Sequence, residues 1–164
     1  MLSMLPKLVT FRYFFALYAP TSNSKANSRR KNQAGVKFAA EHNLRVAVKA
    51  SGHDYLGRST AQGSLLLWTR NLRNISFSDS FVLNGTDLGS VMTIGSGNPL
   101  NRLYEASGQV GKVFVGGFSA TVVAAGGYIQ GAGHSPFSPT LGLGADNTLG
   151  KKFKIPVRAI LNLL

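Results

Sequence analysis

The period of the apolar residues changes several times along this chain, and each change marks an element. At 33–43 the run QAGVKFAAEHN puts Val36, Ala39 and Ala40 on one stripe with Lys37 and Glu41 opposite, which predicts a short amphipathic helix ending near Asn43. RVAVK at 45–49 alternates as a half-buried strand does. A glycine-bearing loop over 50–63 then precedes a second apolar strand, LLLWT at 65–69. Further strands are expected at 81–83, 91–94 and 112–115, and a helix at about 100–107. Two glycine clusters follow, GGYIQGAGH at 126–134 and GLGADN at 142–147, where a backbone that cradles a ligand is expected. No fixed internal repeat is present, and the mixed order of elements predicts an α+β fold.

Composition refines this picture. The chain has 164 residues and 19 glycines, a length that suits one domain and a glycine content that suits turns and close backbone approach. Its net charge of +12 raises nucleic acid or an anionic membrane surface as a partner. The distribution argues against both, because residues 1–34 and 151–164 carry Lys and Arg with no acid, and the middle is left close to neutral. Salt-dependent binding by a basic protein therefore stands as a minor reading. Cysteine is absent, which removes disulfides, thiolate metal sites and thiol nucleophiles. The apolar opening is interrupted by Lys7 and Arg12 and falls short of the roughly 20 apolar residues of a membrane span. A weak secretory signal or an acid-poor presequence is compatible with it. Asn74-Ile75-Ser76 and Asn84-Gly85-Thr86 match the glycosylation pattern, and secretion is left open.

The glycine-rich nucleotide signatures fail in detail. The Gly-x-Gly starts at 95, 131 and 142 lack the third glycine of a Rossmann turn, and Gly111-Lys112 lacks both the hydroxyl residue and the earlier glycine of a phosphate loop. His42, His53 and His134 are too few for a structural zinc site without cysteine, so no metal ligands are assigned. No Gly-x-Ser-x-Gly elbow exists either.

What remains is VKASGHDYLGRST at 48–60. This segment resembles the flavin-attachment loop of the FAD-linked oxidases related to berberine bridge enzyme, within the vanillyl-alcohol-oxidase family. In that family a Gly-His-Asp-Tyr-x-Gly loop follows a strand, and its histidine bonds to the flavin. GGFSATVVAAGGYIQGAGHSP at 116–136 and GLGADN at 142–147 resemble two later segments of the same family, in the same order. The resemblance implies an incomplete PCMH-type FAD-binding domain, with mixed sheets and flanking helices, over residues 33–149. Divergent basic segments at 1–32 and 150–164 flank it.

By resemblance, Gly52, His53, Asp54, Tyr55, Gly57, Arg58 and Ser59 form the attachment loop, with FAD bonded at His53. Thr121, Gly126, Gly127, Gly131 and His134 line the cofactor path, and Ala145, Asp146 and Asn147 approach it. Some relatives hold the flavin through a second bond from a cysteine where this chain has Ser119, so one bond at most is implied. The chemistry suits the loop, since imidazole is a better nucleophile at neutral pH than serine or lysine. Arg58 is read either as a phosphate partner or as a solvated loop residue.

The implied function is oxidation of an alcohol, sugar or secondary metabolite, with oxygen as acceptor. No catalytic residue is assigned, because in the family the base and the substrate pocket lie in a separate substrate domain. A small-molecule substrate is accordingly expected only for a full-length relative, and this chain is expected to be inactive alone. The rival reading is a non-catalytic flavin-binding fragment or pseudogene product. The basic ends coincide with the places where the resemblance fades, and the expectation is that they derive from a mis-spliced, frame-shifted or misannotated gene.

Overall fold

The computed structural model describes residues 12–16 and 23–152. The aromatic run at 11–15 lies only partly within these limits, and its side chains lie outside the described residues. The elements run β1 (Arg12–Ala16), α1 (Asn23–Glu41), β2 (Arg45–Lys49), β3 (Ser64–Trp68), β4 (Ile75–Ser78), β5 (Val82–Leu83), β6 (Thr86–Asp87), β7 (Val91–Gly95), α2 (Leu100–Gln109), α3 (Ser138–Leu141) and β8 (Thr148–Lys152). Strands β4-β7-β1-β8 form a mixed sheet in which β4 is antiparallel to β7 while β7, β1 and β8 are mutually parallel. A parallel pair, β2-β3, and a small antiparallel hairpin, β5-β6, stand apart from it. This is the mixed helix-and-sheet architecture expected from the sequence.

The core gathers around β7. Its sequence VMTIG is apolar at nearly every position, as a strand covered on both faces must be, and Val91, Met92 and Ile94 are buried. Helix α2 sets Leu100, Leu103 and Ser107 on one buried face at helical spacing. Phe114, Val115, Ala124 and Ile129 complete the cluster, and Tyr104 meets Phe114 edge-on at 6.1 Å. Pro99 precedes α2 and offers no side-chain cap. The first amides of the helix instead donate to the loop ahead, Leu100 N–H to Val122 O at 2.9 Å and Asn101 N–H to Ala120 O at 3.1 Å. The helix start and the 120–123 loop are therefore placed by each other.

A backbone seam joins the β2-β3 unit to the larger sheet. Residues 69–74 run alongside the turn that leaves β7, with Gly95 N–H donating to Asn74 O and Gly97 N–H to Leu72 O, both at 2.8 Å. The Asn98 amide donates to Asn74 O and Gly95 O at 3.1 and 3.0 Å. Approach this close demands glycine, because a Cβ on Gly97 would lie 2.5 Å from the carbonyl oxygens of Thr69 and Arg70.

Several element boundaries differ from those read in the sequence. Helix α1 begins well before residue 33, because the preceding polar run holds helix formers such as Lys, Ala and Arg but no apolar stripe to reveal it. Strands β1, β4 and β8 have no counterpart in the periodicity. β4 is only four residues long, and the partners of β1 lie far away in sequence, where periodicity carries no information. The strand expected at 112–115 does not form. Phe114 and Val115 are instead buried in the core without belonging to any strand.

Two substitutions should move stability in opposite directions. Gly97→Ala forces the seam apart and should lower unfolding free energy by more than about 2 kcal/mol in denaturant titration. Ala132 holds a left-handed φ of 73°. Ala132→Gly relieves that conformation and should raise stability by about 1 kcal/mol in the same titration.

Candidate functional site

Beyond β2 the chain enters a loop that its own side chains shape. Gly52 and Gly57 take φ of 93° and 72°, conformations that glycine adopts without strain. Between them the Asp54 carboxylate accepts from the Arg58 backbone N–H at 2.6 Å and from the Arg58 guanidinium, with Nη2 at 2.5 Å. The Arg58 guanidinium, followed by its backbone amide, holds the Asp54 carboxyl below its ordinary value of 3.8, and Asp54 in turn raises Arg58. Tyr55 and Leu56, at the loop tip, are exposed. Among the described residues, nothing accepts the backbone N–H groups of Gly52 or His53.

This loop faces a second one from far along the chain. His53 Nε2 lies 2.8 Å from the Thr121 hydroxyl, and Val123 N–H donates to Ser51 Oγ at 3.3 Å. Between the two lips opens a cleft of about 890 Å³, a size typical of small-molecule sites. Gly52, His53, Asp54, Arg58 and Ser59 line one side of it, and Gly126, Gly127 and Gly131 line the other. Thr69 and Ser96 also line it, and the Thr69 hydroxyl lies 2.8 Å from Ser96 O. The Ser96 hydroxyl is buried and has no partner among the described residues. A glycine-walled cleft with available backbone donors, one arginine and a free hydroxyl fits a dinucleotide bearing a diphosphate.

Of the expected site residues, Tyr55, Gly57, His134, Ala145, Asp146 and Asn147 do not line this cleft. Gly57 serves the loop conformation. The His134 carbonyl accepts from the Tyr128 hydroxyl at 3.0 Å, while the His134 residue itself is exposed. Burial, with Tyr104 nearby, pushes Tyr128 up to about 12, so it remains a protonated donor. The 142–147 turn acts as a brace. Gly144 and Ala145 N–H groups donate to Gly133 O and Ala132 O at 2.8 and 3.0 Å, and the Asn147 amide donates to Leu141 O and Leu143 O. The Asp146 carboxylate accepts from Leu143 N–H at 2.8 Å. Thr121 stands at the rim through His53 without lining the cleft itself.

Sequence reasoning missed Ser51, Thr69, Ser96 and Tyr128 as cleft residues. Ser51 and Tyr128 lie inside the recognised segments and could have been read from them. Thr69 and Ser96 reach the cleft only through the seam, which no local pattern announces.

Comparison with known proteins places these features in a family. The family model described as FAD binding domain matches residues 25–154. A curated relative, an uncharacterized FAD-linked oxidoreductase of Arthroderma benhamiae, is 49% identical over 124 residues, covering 73% of this chain and 21% of the relative. The FAD-linked oxidoreductase OXR2 of Pyricularia oryzae is 44% identical over 119 residues, covering 71% of this chain and 20% of its own length. Among solved structures, the VAO-type flavoprotein MtVAO615 of Myceliophthora thermophila C1 matches with a TM-score of 0.67 and 39% identity, over 73% of this chain and 21% of that one. The chain thus spans about a fifth of the length of these relatives.

The clasp between Asp54 and Arg58 should be pH-dependent. A carboxyl whose folded value is depressed stabilises the loop above its unfolded value of 3.8, and that contribution is lost as pH falls through the lower folded value. Cleavage next to Tyr55 and Leu56 by an acid-active protease should therefore accelerate only below pH 3.8. Asp54→Asn should make the same bonds labile at neutral pH, read with a neutral protease by mass spectrometry.

Proposed function

The chain belongs to the FAD binding domain family, as the FAD-binding domain of a VAO-type FAD-linked oxidoreductase, and we propose that FAD occupies the cleft with its flavin bonded to His53. The observation that carries this reading is the meeting of His53 with the 121–131 segment across one glycine-walled cleft. Backbone N–H groups of Gly52 and His53 and the Arg58 guanidinium are the groups that would hold the diphosphate. Gly126, Gly127 and Gly131 would let the opposite wall approach the cofactor closely. Tyr55 and Gly57 act here through the shape of the attachment loop. Ala145 acts by bonding to the 131–133 turn, Asp146 and Asn147 by shaping the 141–147 turn that carries it, and His134 by accepting from Tyr128.

In the berberine-bridge-like pattern that this loop resembles, an imidazole nitrogen of His53 would be the nucleophile that holds the flavin covalently. Nε2 is engaged with the Thr121 hydroxyl, and among the described residues Nδ1 has no hydrogen-bond partner. If Nε2–H donates to Thr121, the lone pair on Nδ1 is the one left to react. The cofactor itself supplies two-electron redox chemistry that side chains lack. Oxidation of an alcohol, sugar or secondary metabolite, with oxygen as acceptor, is assigned to the longer protein of this family, whose substrate domain supplies the base. No catalytic residue is assigned in this chain.

The protein is incubated with FAD under air, precipitated with acid, and the pellet examined by visible absorbance. Yellow colour should stay with the pellet, and His53→Ala should abolish it. A colourless wild-type pellet would overturn the covalent assignment. Thr121→Val should slow incorporation roughly threefold to tenfold, the effect of losing one ordinary hydrogen bond, while FAD binding measured by fluorescence quenching stays close to wild type.

A further inference from the structure

The hairpin β5-β6 plays no part in the cleft, yet it carries one of the two glycosylation sequons. Its turn is Asn84-Gly85, and both residues have positive φ, 51° and 81°, as in the type I′ turn that fits a two-residue hairpin. Leu83 pairs with Thr86 directly across the ladder, so both side chains share one face beside the turn. Leu83, Asn84, Gly85 and Thr86 are all exposed, and the space a Cβ on Gly85 would enter is open. The hairpin is fixed in place behind this tip. The Asp87 carboxylate accepts from the Ser80 hydroxyl at 2.6 Å and from Gly89 N–H at 2.8 Å, and Phe81 and Gly89 close the base with a backbone bond of 3.0 Å.

The second sequon, Asn74-Ile75-Ser76, sits in a different setting. Asn74 is half-buried in the seam, where its carbonyl accepts from Gly95 N–H and from the Asn98 amide. Ile75 and Ser76 belong to β4, paired along the ladder with β7. A branched sugar on Asn74 would have to fit beside that close backbone approach, whereas one on Asn84 meets solvent on one side and the Leu83–Thr86 pair on the other.

We propose that Asn84 is an N-glycosylation site of this protein and that Asn74 is not. The transfer joins Asn84 Nδ2 to C1 of a sugar and breaks the bond from that carbon to the phosphate of a lipid-diphosphate-linked oligosaccharide donor. The amide gives up one proton, and the lipid diphosphate leaves. The sugar's apolar face can then lie over Leu83 and Thr86 and cover part of the exposed tip, which also holds Val82 at 61% exposure.

To test it, the full chain is directed through the secretory pathway of a glycosylating eukaryotic cell behind a cleavable signal. Secreted and cell-retained fractions are mapped by peptide mass spectrometry before and after enzymatic glycan release, which leaves Asp where a modified Asn stood. Glycan should be found on Asn84 in most chains. It should vanish in Asn84→Gln and in Thr86→Val, which keeps the asparagine, and persist in Asn74→Gln. Unmodified Asn84 in both fractions, or glycan on Asn74 at equal or greater occupancy, would overturn the proposal. Occupancy of Asn84 is read in both fractions, and occupancy of Asn74 in the secreted chains, where the seam has formed.

Discussion

The cleft depends on the seam where two stretches of backbone lie against each other, with Gly95 and Gly97 at the points of closest approach. Residues 69–74 leave the β2-β3 pair, and residues 95–98 leave the central strand of the larger sheet. Four hydrogen bonds of 2.8 to 3.1 Å cross between them, from Gly95 N–H and the Asn98 amide to Asn74 O, from Gly97 N–H to Leu72 O and from the Thr69 hydroxyl to Ser96 O. Each buried amide would cost roughly 1–3 kcal/mol if left unpaired, so the register of this contact is fixed. Thr69 and Ser96 sit on its two sides, and both reach the cleft. The strand that delivers His53 is thereby set at a defined place relative to the core that delivers Gly126 and Gly131.

From that reference the two lips follow by short chains of contact. Helix α2 starts from the seam and donates its first amide hydrogens to the Val122 and Ala120 carbonyls, which places Thr121 and Val123 opposite His53 and Ser51. On the far side the irregular turn at 124–128 leads into 129–133, where Ala132 bends in the left-handed region. The 142–147 brace holds that bend with bonds to Gly133 and Ala132. A strained residue persists where its surroundings over-determine it, and here the surroundings are a loop ten residues downstream.

The legible parts of this arrangement were those written locally. The helix of residues 100–107, the strands at 45–49 and 91–94, and the histidine between glycines all announce themselves by period or by residue type. So do the glycines at 126, 127 and 131, which stand together in one glycine cluster. Strands β1 and β8 were hidden, since a parallel ladder is a relation between distant segments and neither segment alternates strongly. Asp146 and Asn147 were legible as important but not in their role. Polar residues beside glycines suit both a ligand contact and a turn that bonds to its own backbone, and the geometry shows the second.

Charge within the cleft follows from the same economy of parts. Among the lining residues Asp54 is the one carboxylate and Arg58 the one guanidinium, and they are bonded to each other. An uncompensated carboxylate there would repel the diphosphate of a dinucleotide; paired, it leaves no net charge and fixes the orientation of the arginine. The guanidinium has five N–H donors and commits only part of them to Asp54, so the rest remain for an anion. The lone carboxylate is therefore better understood as the anchor of the cation and of the loop than as a ligand contact. Its position one residue after His53 ties the clasp that orients the arginine to the same short loop segment that carries the imidazole.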